Sequence, residues 1–274
     1  YNGKELQDEL NLGWLDYGAR MYDAAIGRWN RIDRFSEEYY AMSPYVYTAN
    51  NPISYVDING DTLWIEYVIY GSNNSITINS VYFDENVLYD QDGNEVELSD
   101  ELVGVYNDLN MLSSGNKGNQ LLSMFTGTSS DNLTIKLNNR GINQANQQGT
   151  EIAHDPNSQT GGVDKNGNTM RPAYVALGHE FGHVEDVKNG TVDTNTWYSV
   201  QLPSGKTKNV TNAEKYGSHV ENQIRAEHGL PLRAYYGAKI NSSGKTVGDS
   251  QSSLLRKDCR SKFFKNPDGT FYKY

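Results

Sequence analysis

The chain has 274 residues, a length that suffices for one large domain or two smaller ones. Its formal net charge of −10 at pH 7 argues against a general nucleic-acid-binding protein, because phosphate binding needs a basic surface. Cys259 is the only cysteine, which excludes an internal disulfide, and no run of about 18 apolar residues predicts a membrane span.

Residues 1–60 are rich in tyrosine and tryptophan, and glycine and asparagine punctuate them. Short aromatic runs between turn residues are typical of small strands and hairpins. Strong turn signals occur in N-N-P at residues 50–52 and in D-I-N-G at residues 57–60. We therefore expect a β-rich segment up to residue 60.

Four short motifs of this segment match a known pattern: G-R-W at 27–29, Y-V-Y at 45–47, N-N-P at 50–52 and D-I-N-G at 57–60. With them, the segment resembles the C-terminal end of the core of RHS-repeat (YD-repeat) proteins. Members of that family build a hollow β-shell around a variable C-terminal toxin, and some cleave themselves near a final D-P-x-G. Here Arg34 and Ile58 stand where proline is usual, which leaves self-cleavage at Gly60 in doubt. The alternative is that the segment is only a remnant of the shell wall, without its own activity.

Beyond residue 60 the pattern is one of mixed strands and helices. Alternating apolar and polar residues predict strands in TLWIEYVIY and SITINSVYF, joined by GSNN, and a further strand in NLTIKLNN. A hairpin through Asp92-Gly93 is predicted in VLYDQDGNEVELS. Ser99 is the candidate N-cap of an amphipathic helix, and NQLLSMFTG predicts a short second helix. Residues 139–170 predict a long loop with one turn at Asn166-Gly167.

The next predicted helix, in RPAYVALGHEFGHVEDVK, carries the spacing H-E-x-x-H and has Pro172 in its first turn. His179 and His183 are four residues apart, so they share a helix face and can bind one zinc ion. Zinc lowers the pKa of a bound water to about 7, and Glu180 can take its proton as the water attacks a carbonyl. The alternative is a structural helix whose two histidines have this spacing by chance.

Two glycines in the same segment, Gly178 and Gly182, lower helix stability by about 1 kcal/mol each relative to alanine. We interpret them as places where a substrate or a strand approaches closely.

Two histidines leave zinc short of one protein ligand. A further helix is predicted in NAEKYGSHVENQIRAEHG, ending at Gly229. Four of its residues fall on one face: Glu214, Gly217, Glu221 and Arg225. One carboxylate is expected to ligate the metal and the other to support the site. Glu214 is preferred as the ligand, and Glu221 is the supporting residue or the alternative ligand.

The remaining histidines are assigned more ordinary roles. His219 lies off that face and is expected to be exposed. His228, near the helix C-terminus, is expected to interact with the helix dipole. His154 lies in the predicted loop, within reach of the cleft, and receives no role.

The combination of GHEFGHVED with ENQIRAEHGLPLRAYYG resembles a family of bacterial effector and toxin metallopeptidases of the zincin class. The matching residues of the second motif are Asn222, Arg225, Gly229, Leu230, Pro231, Arg233 and Tyr236. In distantly similar clostridial neurotoxin light chains, an Arg-x-x-Tyr pair near zinc helps to hold the carbonyl oxygen. The resemblance implies that Arg233 and Tyr236 stabilise the developing oxyanion. Alternatively, Arg233 forms a structural salt bridge with Glu221 and Tyr236 packs in the core.

The tail, residues 241–274, is basic and aromatic, a combination that can indicate nucleic-acid binding. In so acidic a chain we expect a solvated terminal hairpin instead. Two alternative functions remain: a nuclease toxin that uses His154 and the tail, and a non-enzymatic RHS shell module with a structural H-E-x-x-H helix.

The sequence therefore predicts an α+β fold, with a zincin-like domain at residues 61–274, built from the H-E-x-x-H helix and a small sheet, behind a short β-rich RHS-core remnant at residues 1–60. The predicted function is that of a zinc-dependent endopeptidase toxin or effector, with Zn²⁺ as its cofactor. The predicted metal ligands are His179, His183 and Glu214, and the predicted catalytic residues are Glu180, Arg233 and Tyr236.

The expected partners are a protein substrate in a target cell, a cognate immunity protein and the RHS shell of the parent chain. No nucleic acid and no membrane span are expected. The chain is expected to leave a bacterial cytoplasm through a secretion apparatus and to enter the target cell.

Overall fold

The computed structural model describes residues 5–7, 12–16, 21–30, 43, 45, 63–70, 76–84, 86–90, 94–125, 133–201 and 205–274. The chain divides into two compact units. One comprises Tyr1–Trp64, Ser80–Glu97 and Ser123–Leu133, and the other comprises Ile65–Asn79, Leu98–Leu122 and Thr134–Tyr274. The turn motifs at 50–52 and 57–60, the GSNN link and the turn at Asp92-Gly93 lie outside the described residues. The domain boundary at residue 60 therefore stays a prediction.

The N-terminal segment forms the predicted small strands. They are β1 (Glu5–Gln7), β2 (Trp14–Asp16), β3 (Met21–Asp23) and β4 (Arg28–Trp29), which form an antiparallel sheet in that order. Leu15, Tyr22 and Trp29 make a small apolar cluster, in which the two aromatic rings meet edge to face at 5.7 Å. The aromatic residues of this segment thus bury one another across neighbouring strands.

Four α-helices occur within the described residues. Three match the predicted helices closely, and the short one begins at Asn116, three residues before the predicted segment. The four helices are α1 (Asp100–Ser113), α2 (Asn116–Leu122), α3 (Ala173–Lys188) and α4 (Ala213–Glu227). Pro172 is the N-cap of α3, a position where its missing N–H costs no hydrogen bond. His228 is the C-cap of α4, and Gly229 follows with a φ of +66°, the left-handed conformation that ends many helices. No helix among the described residues is long and apolar enough to cross a membrane.

The largest sheet has six strands in the order β7-β6-β5-β8-β10-β9. They are β5 (Leu63–Tyr70), β6 (Ile76–Asp84), β7 (Val87–Tyr89), β8 (Leu133–Leu137), β9 (Gln144–Ala145) and β10 (Glu151–His154). β10 runs parallel to β8, and Ile152 and Ile135, which pair in that register, are fully buried. β9 pairs antiparallel with β10 and forms one edge of the sheet.

The predicted long loop at residues 139–170 was wrong, because this range contains β9, β10 and β11 (Val163–Asp164). β10 has only four residues, and one of its two buried positions is His154, so an apolar alternation is too short to detect. The turn at Asn166-Gly167 is confirmed. Gly167 has a φ of +86°, and its N–H donates to the Asp164 carbonyl.

Helices α3 and α4 pack closely because α3 carries glycines where α4 crosses it. A β-carbon at Gly178 would collide with the side chain of Ile224, and one at Gly182 would lie 3.0 Å from Cβ of Val220. The two glycines therefore admit the neighbouring helix, and our interpretation of them as an approach for a substrate or a strand was wrong.

Four two-stranded sheets complete the described fold, and each uses at least one strand that follows α3. The remaining strands are β12 (Thr196–Gln201), β13 (Thr207–Thr211), β14 (Arg233–Tyr235), β15 (Ala238–Ile240), β16 (Thr246–Gly248), β17 (Arg260–Lys265) and β18 (Phe271–Lys273). They pair as β11 with β14, β12 with β13, β15 with β16, and β17 with β18. The predicted terminal hairpin is therefore present as β17 and β18.

The hairpin is not simply solvated. Phe264 stacks on the ring of His219 at 4.2 Å, and the Tyr274 hydroxyl lies 2.9 Å from His219 Nδ1. The expectation that His219 is exposed was wrong, because the terminal hairpin covers it. Residues more than 40 positions apart make this contact, so the helical pattern alone gave no sign of it.

Candidate metal centre

Three potential ligand atoms converge where α3 meets α4. The Nε2 atoms of His179 and His183 lie 3.2 Å apart, and each lies 3.2 Å from Oε2 of Glu214. The two histidines share a face of α3 because they are four residues apart. Glu214 reaches them from the first turn of α4. These three residues form the candidate metal-binding group among the described residues.

The spacing of the three atoms suits a zinc ion. Tetrahedral zinc with ligands at about 2.0–2.1 Å has its ligand atoms about 3.3 Å apart. The observed triangle, with sides of 3.2 Å, is close to that value. Two imidazoles and one carboxylate are also the donor set of many catalytic zinc sites.

Space for an ion is preserved by Gly217, one turn after Glu214. A β-carbon there would lie 2.9 Å from Nε2 of His179 and 2.9 Å from Nε2 of His183. Any side chain at this position would crowd the two atoms that face the candidate metal. Gly217 was predicted to lie on the inner face of α4. It therefore borders the triangle of the three ligand atoms.

The charges at the site favour metal ligation by Glu214. Burial alone would raise the pKa of this carboxyl group, but hydrogen bonds to His179 and His183 outweigh burial and hold the pKa well below its usual value. Burial would lower the pKa of His179, but its contacts with Glu214 and Glu221 raise it. The carboxylate is thus ionised and able to ligate a metal ion.

Glu221 lies on the other side of His179. Its Oε2 is 3.2 Å from Nδ1 of His179 and 2.6 Å from Nη1 of Arg233, and its Oε1 accepts a hydrogen bond of 2.8 Å from Nε of Arg225. Burial would raise the pKa of Glu221, but the charges of Arg233 and Arg225 hold it well below its usual value. A buried, ionised carboxylate at the second ring nitrogen can fix the orientation of a metal-binding imidazole.

Glu180 is buried and does not belong to the ligand triangle. Its Oε2 accepts a hydrogen bond of 2.8 Å from the backbone N–H of Ala145, which lies in the edge strand β9. The carboxylate is therefore held between the active helix and the sheet. The sequence gave no sign of Ala145, because the contact uses only its backbone.

Arg233 is the first residue of β14, and Tyr236 directly follows that strand. The Arg233 guanidinium donates to the Tyr236 carbonyl at 2.9 Å and lies 4.6 Å from the Tyr236 ring. Together with its bond to Glu221, these contacts match the salt-bridge alternative for Arg233. The Tyr236 ring lies 6.3 Å from the His179 ring. Burial, and then the charge of Glu214, raise the pKa of Tyr236, so the phenol stays protonated.

Three further residues of the site escaped the sequence interpretation: Gly161, Gly162 and Arg171. A β-carbon at Gly162 would collide with Nε of Arg233, and one at Gly161 would lie 2.5 Å from Nε of Arg171. Arg171 is buried, and its Nη1 lies 3.5 Å from Oε2 of Glu221. The adjacent glycines were a visible signal: they allow two guanidinium groups to pack against the backbone.

The other histidines lie outside the ligand triangle. His154 is fully buried in β10, with Nε2 2.8 Å from Oδ2 of Asp108 and Nδ1 2.7 Å from Oδ1 of Asn143. It is not in a loop facing the cleft, and the nuclease alternative loses the residue on which it depended. The His228 ring contacts Tyr174 at 5.0 Å.

An H-E-x-x-H helix with a third carboxylate from a second helix defines a candidate metallohydrolase centre of the zincin kind, on a mixed α+β fold. Residues 90–236 match the family model of peptidase M91, described as "Effector protein". The match spans more than half of the chain, and the chain belongs to this family of metallopeptidase effectors.

A stretch of 60 residues is 43% identical to salivary gland surface protein 1 of Aedes aegypti. It covers 22% of this chain and 2% of that protein. No solved structure matches the chain.

Proposed function

We propose that the chain is a zinc-dependent endopeptidase effector that cleaves a protein inside a target cell. The observation that carries this proposal is the triangle of His179, His183 and Glu214 with sides of 3.2 Å. Its spacing and donor set suit Zn²⁺, and membership of the peptidase M91 family supports peptide-bond hydrolysis.

In this proposal His179, His183 and Glu214 hold the zinc ion. When bound, zinc supplies a Lewis acid that activates water and polarises a peptide carbonyl. Glu180 is the general base and later protonates the leaving amine. Because Oε2 of Glu180 already accepts a hydrogen bond from Ala145, we assign Oε1 as the oxygen that takes the proton.

Tyr236 is the proposed donor to the developing oxyanion. Its raised pKa keeps the hydroxyl protonated, and its ring lies beside the ligand His179. Arg233 is proposed to act through its neighbours: it holds the Tyr236 backbone and the Glu221 carboxylate, which in turn orients His179.

We also propose that residues 1–60 are the end of an RHS-repeat core and that residues 61–274 are the toxin domain. The resemblance of the N-terminal motifs and the small strands β1 to β4 support this division. A cognate immunity protein, the shell of the parent chain and delivery through a secretion apparatus follow from it as further proposals. The family description as an effector protein supports delivery to a target cell.

The test compares wild-type chain with Glu180→Gln, both expressed in candidate target cells, by mapping new protein N-termini across the proteome. New termini should arise only with wild type. Metal analysis of purified protein should give one zinc per chain, lost in His183→Ala and retained in the control His228→Gln. A chain that produces the same termini with Glu180→Gln, or that retains zinc with His183→Ala, would contradict the proposal.

A further inference from the structure

A row of aromatic and lysine side chains leads away from the metal centre. We name it the aromatic–lysine strip, and it consists of Tyr236, Trp197, Phe263, Lys215 and Lys262. The Tyr236 ring lies 6.3 Å from the His179 ring, Trp197 lies 6.0 Å from Tyr236, and Phe263 lies 5.5 Å from Trp197. The strip is therefore continuous from a ligand of the candidate metal site to the terminal hairpin.

Two ammonium groups lie on its outer aromatic rings. Nζ of Lys215 is 5.3 Å from the centre of the Trp197 ring and 4.5 Å from that of Phe263. Nζ of Lys262 is 5.8 Å from the same Phe263 ring. Trp197, Phe263 and Lys215 are half-buried, and Lys262 is exposed, so the strip is open to solvent.

The Asp193 carboxylate influences Lys215 without forming an ion pair with it. Among the ion pairs of the described part of the chain, none joins Lys215 or Lys262 to a carboxylate within 4.0 Å. Lys215 instead donates to Oδ1 of Asn212, and the nearby Asp193 carboxylate is engaged by Asn195 and Asn212. Both ammonium groups lie beside the same Phe263 ring, so two positive charges share this part of the strip. An incoming carboxylate would relieve the repulsion of the two ammonium groups.

The terminal hairpin as a whole contrasts with the acidic chain. Residues 256–274 contain six Lys and Arg and two Asp, a net charge of +4 by side chains, whereas the complete chain has −10. Two members of the strip, Lys262 and Phe263, therefore belong to a locally basic segment of an acidic protein. Such a local contrast attracts acidic segments of a partner and repels basic ones.

We propose that the aromatic–lysine strip recognises an Asp or Glu side chain of the protein substrate, at a fixed position a few residues from the scissile bond. This inference rests on the proposed peptidase function. The Trp197 ring is at most about 12 Å from the His179 ring along the strip, and an extended peptide rises about 3.3 Å per residue. The recognised carboxylate thus lies about two to four residues from the bond that is cut.

The test uses the full chain loaded with zinc and a library of proteome-derived peptides, sequenced after cleavage. Cuts that Glu180→Gln eliminates define the cleavage sites. Asp and Glu should be enriched about threefold or more at one position within about four residues of the cut, and the preference should turn toward Lys and Arg in the double variant Lys215→Glu, Lys262→Glu. Lys262→Glu alone, at an exposed position, should weaken the acidic preference without affecting folding.

The matched control is Lys245→Glu, Lys257→Glu, which makes the same change in net charge at exposed lysines outside the strip. It should keep the wild-type preference. Cuts that depend on Glu180 but show no acidic preference, or a preference unchanged by the strip variants, overturn the inference alone. The absence of any cut that depends on Glu180 overturns the peptidase proposal, and this inference with it.

Discussion

Gly217 of α4 faces His183 of α3 so closely that a β-carbon on the glycine would lie 2.9 Å from Nε2 of the imidazole. The same β-carbon would lie 2.9 Å from Nε2 of His179. The inner face of α4 thus contributes the Glu214 carboxylate and, one turn later at Gly217, free space beside the two imidazoles. Glycine at this position lowers helix stability by about 1 kcal/mol relative to alanine, and the space that it leaves lies next to both imidazole nitrogens.

Gly217→Ala should therefore retain the fold and lose zinc. The added methyl group raises helix propensity but occupies the space next to both imidazole nitrogens. We therefore expect zinc affinity to fall by about 10- to 100-fold, the range seen when the surroundings of a metal site are disturbed. Isothermal titration with Zn²⁺ and circular dichroism of the metal-free protein measure the two effects. The neighbouring Ser218→Ala is the matched control, and an equal loss of affinity there would contradict the role of the glycine.

Tyr236→Phe should lower kcat without releasing zinc. The phenylalanine keeps the ring beside His179 but removes the hydroxyl that we assign to the oxyanion, and the loss of one such donor costs about 100- to 1000-fold in kcat. The measurement needs a substrate identified by N-terminal mapping. Unchanged kcat in this variant would favour the alternative that Tyr236 is only a core residue.

Glu221→Ala should destabilise the protein as well as the metal site. It leaves Arg233 and Arg225 buried without their shared carboxylate, and breaking a buried ion pair by removing one partner costs about 3–5 kcal/mol. Chemical denaturation of the metal-free chain measures this change in the free energy of unfolding. The control is Glu227→Gln, at an exposed position of the same helix, which should lower the free energy of unfolding by less than about 1 kcal/mol. Equal losses in the two variants would contradict a stabilising role for the ion pairs of Glu221.

Acid should destabilise the contact between α4 and the terminal hairpin. Burial, and then the charge of Lys117, lower the pKa of His219 to about 4. In the unfolded chain this histidine titrates near 6.5, so its contribution to stability is complete above that pH and is lost as the pH falls from about 6.5 to 4. His219→Phe keeps the stacking on Phe264 and removes the titration.

The measurement compares the free energy of unfolding at pH 7.0 and pH 4.5, with a chelator present at both values so that metal loss does not contribute. Wild type should lose more stability than His219→Phe over this interval. An identical loss in both proteins would assign the acid sensitivity to other groups.

The H-E-x-x-H residues and the faces of both helices could be predicted because helical spacing alone determines them. His179 and His183 share a face at any i, i+4 spacing, and Glu214 falls on the inner face of α4 by the same rule. Ser99 was placed at the start of α1, although its side chain makes no capping hydrogen bond there.

Contacts made through the backbone or across the fold could not be predicted. The Ala145 amide holds Glu180 from 35 positions away, and no side-chain pattern marks it. His154 was assigned to a loop because a four-residue strand with a buried histidine has no apolar alternation. His219 was expected to be exposed because the hairpin that covers it lies more than 40 residues further along the chain.

The hydrogen bond from Ala145 to Glu180 has an evolutionary consequence. Since the donor is a main-chain amide, nearly every amino acid supplies it equally well, and proline alone removes it. Sequences descended from a common ancestor can thus differ freely at this position and still hold the carboxylate in place. Conservation of residue type would therefore not reveal position 145, although the orientation of the proposed base Glu180 depends on it. The only trace in such sequences would be the absence of proline at this position.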